Sequence, residues 1–148
     1  MLTFRRIATR AAFDAFWHLL APAVGSTGPA RREALRALYL EDAGCTLCAV
    51  YEGADAVGVL GWRLAPDSRQ GEIRHVSVAQ ARRGQGVGRA ILLGLAERLP
   101  EVEEWVAETD DEAVGFYVAV GFRATDLGER YPGVRRYLCR WRPVPLRP

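Results

Sequence analysis

The apolar positions of the chain change period several times, and each change marks a new element. Residues 2–7 are short and β-favouring and predict a first strand. Thr9 is placed to cap a helix whose apolar residues, Phe13, Phe16, Trp17 and Leu20, recur at helical spacing. Residues 21–29, rich in Pro, Gly and Ser, break that helix. A second helix is predicted over residues 30–40 with Ala34, Leu35 and Leu38 inward. Strands follow over residues 45–51 and 56–64, joined by the hairpin turn Glu52-Gly53-Ala54-Asp55. After a polar turn over residues 66–71, residues 72–79 read as a third, apolar-rich strand of this group. A helix over residues 88–99 carries Leu92, Leu95 and Leu99 on one face, with Pro100 beyond its end. Residues 104–108 predict a strand and residues 111–120 a helix closed by Gly121. Strands near residues 122–126 and 134–141 flank the turn Tyr131-Pro132-Gly133. The order is β-α-α-β-β-β-α-β-α-β-β, a mixed α/β fold.

Between the strand at 72–79 and the helix at 88–99 lies RRGQGVGR, residues 82–89. Strand, glycine turn and helix start together make an anion cradle. Backbone N–H groups around glycine converge, the first helical turn leaves more of them unpaired, and the helix dipole adds positive charge. Glycine is needed because a Cβ forbids positive φ or blocks a ligand packed on the main chain. Arg82, Arg83 and Arg89 add positive charge suited to phosphate. The spacing is not that of a dinucleotide fingerprint, GxGxxG, and the Walker loop's lysine is missing.

Composition narrows this further. At 148 residues the chain is sized for one domain, residues 1–148, and 49% hydrophobic with 26% charged residues is ordinary for a globular protein. A net charge of +2 makes no case for nucleic acid or a membrane surface. All 20 basic residues are arginine, so the protein has no lysine of its own to modify. The start, MLTFRRIATR, has no apolar stretch behind its charges, and the longest apolar run, residues 90–96, is far short of a membrane span. A cytoplasmic protein is expected. Cys45 and Cys48 have CxxC spacing, but residues three apart on a strand point to opposite faces, and Cys139, His18 and His75 are the remaining non-carboxylate ligands. No metal is expected.

VAQARRGQGVGRAIL, residues 78–92, resembles the acyl-CoA signature of the GNAT family of N-acetyltransferases, Arg/Gln-x-x-Gly-x-Gly/Ala, through Arg83, Gly86 and Gly88. DDEAVGFYVAVGF, residues 110–122, is similar to that family's second motif through Ala113, Phe116, Tyr117, Gly121 and Phe122. The likeness covers essentially the whole chain. It implies a central, mostly antiparallel mixed sheet flanked by about four helices, and acetyl-CoA as cosubstrate. It implies a pyrophosphate held by the N–H groups of Arg83, Gly84, Gln85, Gly86, Val87, Gly88 and Arg89. It places pantetheine amides on the main chain of Val76 to Val78, on a strand that splays from the next one. The acetyl group would pass directly to a primary amine, with no acyl-enzyme.

In this reading Tyr117 resembles the general acid that protonates the departing thiolate, and the alternative is a core tyrosine, since Ala113, Tyr117 and Val120 share one helical stripe. Asp110 stands where the family usually has Asn; helix capping is the expected role and a cofactor contact the lesser one, with Ala113 and Phe116 beside it in the motif. By resemblance Glu72 is chosen as the base over His75, which reads as a satisfied sheet histidine; the alternative for Glu72 is a strand-entry residue in solvent. The two are an odd number apart, so an unbulged strand shows only one of them to the site. By resemblance, residues 21–36 and 129–135 line the acceptor site. Trp62 and Tyr131 are expected to pack or to make a dimer contact, with apolar walls of the acceptor site as the lesser reading. The acceptor is left open between a small metabolite, an antibiotic amine, and a protein N-terminus or lysine; dimers are common in the family. A non-catalytic acyl-CoA-binding sensor or interaction domain and a generic nucleotide-binding domain are the alternatives.

Overall fold

The computed structural model describes residues 1–67 and 69–144, so Ser68 in the predicted polar turn lies outside the described residues. The elements run β1 (Leu2–Arg6), α1 (Arg10–Leu20), α2 (Pro29–Glu41), β2 (Cys45–Glu52), β3 (Asp55–Leu64), β4 (Gln70–Val78), α3 (Val87–Arg98), β5 (Glu104–Asp110), α4 (Val114–Val120), β6 (Arg123–Tyr131) and β7 (Val134–Trp141). Apart from two short 3-10 turns, this is the predicted order. The strands form a seven-stranded mixed sheet in the order β1-β2-β3-β4-β5-β7-β6. The chain divides into two compact units: residues 1–63 with 73–91, and residues 64–72 with 92–148. Among the described residues no helix is long and apolar enough to cross a membrane.

In the first unit, β1 and β3 pair antiparallel with β2. Thr9 caps α1 by accepting the N–H of Ala12 at 3.1 Å. One face of β2, Cys45, Leu47 and Ala49, packs with Val59 of β3 against Phe13, Leu20, Leu35 and Tyr39 of α1 and α2. Leu35 is inward as predicted, but Ala34 is exposed and Tyr39 takes the inward position four residues on. Asp14 of α1 accepts from Arg32 and Arg36 of α2 at 3.1 and 3.3 Å, joining the two helices by their polar edges. Gly61 is required by Tyr39, because a Cβ there would meet the phenol. Cys45 and Cys48 are both buried, and neither is in a disulfide. Trp62 packs as predicted, 8% exposed.

In the second unit, the start of β4 pairs parallel with β5, through Gln70↔Glu104, Gly71↔Trp105 and Glu72↔Val106. β7 pairs antiparallel with β5 and with β6. Alternation along β5 buries Trp105, Ala107 and Thr109 and turns Val106, Glu108 and Asp110 to the other face. A Cβ on Gly71 would run into the Trp105 ring, which fixes that residue as glycine. Two predicted boundaries move by three residues or more. α4 begins at Val114, not at 111, because residues 111–113 form a turn under Asp110. β6 runs on to Tyr131, not 126, because bulges near Gly128 let it follow β7 past a register shift.

Candidate active site

In the first unit, β4 hands over to α3 through a 3-10 turn at Gln80–Arg82 and the glycine loop. Gly84 and Gly86 have φ of +76° and +79°, and a Cβ at either would find no atom within 4 Å. The conformation, not crowding, demands glycine there. The first bond of the helical pattern runs from the Ala90 N–H to the Gly86 carbonyl at 3.1 Å. The N–H groups of Val87, Gly88 and Arg89 thus lie in the first turn, where the helix supplies no acceptor. The Arg83 side chain reaches back, Nε donating to the Val78 carbonyl at 3.1 Å, and ties the loop to the end of β4. Arg82 pairs with Glu52, whose carboxyl it holds below the usual range through a hydrogen bond and its charge. Arg83 and Arg89 are exposed beside the glycines.

Val76 and Val78 are half-buried on the β4 face that alternates with the buried Ile73, His75 and Ser77. His75 is hydrogen-bonded through Nδ1 to the Tyr39 hydroxyl at 2.5 Å. Burial, then the charges of Arg74 and Arg31, lower its imidazole to about 4, so it is neutral at neutral pH. This is the satisfied sheet histidine that was expected. Its partner Tyr39 was not anticipated, since nothing local in the sequence links residues 36 positions apart.

In the second unit, Glu72 is half-buried and stands in register with Val106. It shares a face with Val106 and, two residues along β5, with Glu108. Asp110 ends β5, and its Oδ1 accepts the N–H groups of Glu112 at 3.0 Å and Ala113 at 3.2 Å. This closes a turn over residues 110–113 and is not the predicted helix cap: the N-cap of α4 is Ala113, and no side chain caps the helix. Ala113 and Phe116 are half-buried on the same short element. Tyr117 is buried, 7% exposed, with the Phe116 and Phe122 rings edge-on at 5.1 Å on either side. Burial, then nearby Cys139, pushes its phenol well above the usual tyrosine range, so it holds its proton. Gly121, at φ +129°, ends α4 by donating to the Tyr117 and Val118 carbonyls.

A hollow of about 440 Å³ opens in the second unit between Glu108, Arg130, Tyr131 and Arg136. Tyr131 is 68% exposed, so within the chain it does not pack as expected. Glu108 and Arg136 were missed. They meet only because β5 and β7 pair in one register, a fact outside the reach of local spacing. Among the described residues no group of three or more His, Cys, Asp or Glu is placed to hold a metal ion.

The acetyltransferase (GNAT) family model matches residues 12–122. The chain therefore belongs to the GNAT family. It is 43% identical over 56 residues to the peptidyl-lysine N-acetyltransferase YjaB of Escherichia coli K12, a stretch covering 34% of this chain and 38% of that protein. The match thus spans little more than a third of that relative's length. An aminoglycoside 6'-N-acetyltransferase crystallised with coenzyme A superposes with a TM-score of 0.79 at 13% identity, over 100% of this chain and 99% of that one. The ribosomal-protein-S18-alanine N-acetyltransferase of Escherichia coli gives 0.71 at 16% identity, over 95% and 91%. At such identities the two structures share the fold.

Proposed function

We propose that the protein transfers an acetyl group from acetyl-CoA to a primary amine by direct attack in a ternary complex. The observation that carries the reading is the pair of positive-φ glycines, Gly84 and Gly86, opening onto the first turn of α3. Their N–H groups, with those of Arg83, Gln85, Val87, Gly88 and Arg89, suit a pyrophosphate, and Arg83 and Arg89 add charge. The neighbour crystallised with coenzyme A supports a coenzyme A guest for such a fold. The main chain of Val76 to Val78 takes the pantetheine amides; the β4–β5 ladder consists of residues 70–72 and stops short of them.

Bound acetyl-CoA supplies the activated acetyl thioester. Glu72 takes the proton that the acceptor's ammonium must lose before nitrogen attacks the carbonyl carbon. As the new C–N bond forms and the C–S bond breaks, Tyr117 gives its phenolic proton to the sulfur. The thiolate of a thiol with pKa about 8–9 is a fair leaving group, so the acid assists and does not have to force the step. Asp110 shapes the turn before α4 that presents Ala113, Phe116 and Tyr117. The acceptors named for the relatives, a peptidyl lysine and an aminoglycoside, are both amines, which is the class proposed here.

A binding-only acyl-CoA module is the second reading, favoured by one observation: Tyr117 is packed as a core ring would be. Thermal denaturation with acetyl-CoA, CoA, ATP and NAD tests the ligand. At about 100 times its Kd, acetyl-CoA stabilises by about 2.7 kcal/mol, and ATP and NAD should give no shift. Thiol release on adding amines then separates enzyme from module. Protection by ATP or NAD in place of acetyl-CoA would overturn both readings.

A further inference from the structure

The lining of the hollow beside Glu108 carries one more positive than negative side chain. Two guanidinium groups, Arg130 and Arg136, face one carboxylate, Glu108, which accepts from Arg136 Nε at 3.3 Å. Asp126 is committed to Arg135 at 2.7 Å and to the Gly128 N–H. Glu129 accepts the Gly133 N–H within the turn. Asp110 uses Oδ1 on the turn before α4. Among the described residues no carboxylate pairs with Arg130. Tyr131 supplies an exposed aromatic wall beside it.

The hollow also has a defined place relative to Glu72. Glu72 is level with Val106, and Glu108 is two residues further along the same face of β5. That is a separation of roughly 7 Å along the strand. An amine delivered to Glu72 can therefore extend along this face toward the hollow at Glu108.

Building on the transferase reading, we propose that the acceptor carries an anionic group, a carboxylate or a comparable monoanion, a short chain away from its amine. Arg130 and Arg136 hold that group and Tyr131 flanks the chain between. A guanidinium matches a carboxylate in a paired, charge-assisted geometry. The same excess charge repels acceptors that carry several ammonium groups.

Matched acceptors that differ only in the carboxylate test this. Lysine is compared with cadaverine, tyrosine with tyramine, and γ-aminobutyrate with butylamine, by kcat/KM from thiol release. A lysyl peptide containing glutamate, compared with its glutamine counterpart, tells a peptide acceptor from a free amino acid. The carboxylate-bearing member of a pair should be preferred about tenfold or more. Arg130→Ala should bring that ratio close to one, and Arg130→Glu should reverse it. Arg130 is exposed, so neither change threatens folding. A wild-type ratio of one or below, or a ratio unmoved by Arg130→Ala, overturns the proposal. If no pair is turned over, the same pairs are titrated calorimetrically against the protein with and without CoA. Binding that lacks dependence on the carboxylate and on Arg130 then overturns it. The titration without CoA needs no transfer chemistry, so this inference and the transferase reading fail on different measurements.

Discussion

Tyr117 has the right group in a setting built to keep its proton. Two aromatic edges enclose it, and burial raises the phenol. Tyr117→Phe keeps both ring contacts and removes one oxygen. It should lower kcat about 100-fold, with acetyl-CoA affinity by calorimetry unchanged. An unchanged kcat would return the residue to the core and favour the binding-only module. His75 shows the opposite shift. In the unfolded chain it titrates near 6.5, but in the fold it is lowered to about 4. Between those values the unfolded chain binds a proton that the native chain refuses. The stabilisation is therefore full above the upper value and is lost as pH falls toward the lower one. Across the window this group is worth about 3 kcal/mol. Urea denaturation at about pH 7.5 and about pH 4.5 measures it, and His75→Gln should flatten the pH dependence by about that amount. A variant with the wild-type slope would show that His75 does not titrate in this way.

The glycine loop was readable because its chemistry is local. Strand, positive-φ residues and helix start are consecutive, so spacing alone pointed to an anion. Gly86 has room for a Cβ, which separates two effects that usually travel together. Gly86→Ala should cost about 1–2 kcal/mol through its φ of +79°, not through a clash. As the loop relaxes from that φ its N–H groups turn away, so acetyl-CoA affinity should fall by at least about tenfold, a loss near 1.4 kcal/mol. Calorimetric titration and urea denaturation of the variant read the two effects. Retained affinity with lost stability would show that the curl is structural only. α4 and β6 were less legible for reasons outside their own periodicity. Asp110 spends its carboxylate on the N–H groups of Glu112 and Ala113, which turns what reads as a helical start into a loop. The extension of β6 depends on β7, which carries it past the irregularity at Gly128.

The element order was legible throughout the chain, whereas the groups that meet through pairing were not. Tyr39 and His75, or Glu108 and Arg136, are dozens of positions apart or on strands whose register no local pattern states. Burial of the thiols bears on the route of the proposed transfer. Cys45, Cys48 and Cys139 are all buried and in no disulfide, and burial raises the Cys45 and Cys139 thiols above their usual value. A raised thiol holds its proton and is a poor nucleophile at neutral pH. Burial also keeps each sulfur from a thioester arriving in solution. Acetyl transfer through a cysteine is therefore disfavoured on two counts, which supports the proposed direct attack with amine and thioester both bound. Initial rates against both substrates should give intersecting lines, not the parallel lines of a covalent relay. Incubation with acetyl-CoA alone should leave the intact mass unchanged, and iodoacetamide on the native protein should spare activity. Parallel lines with an acetylated protein would establish an acyl-enzyme, and with it an opening of the fold that exposes one of these cysteines.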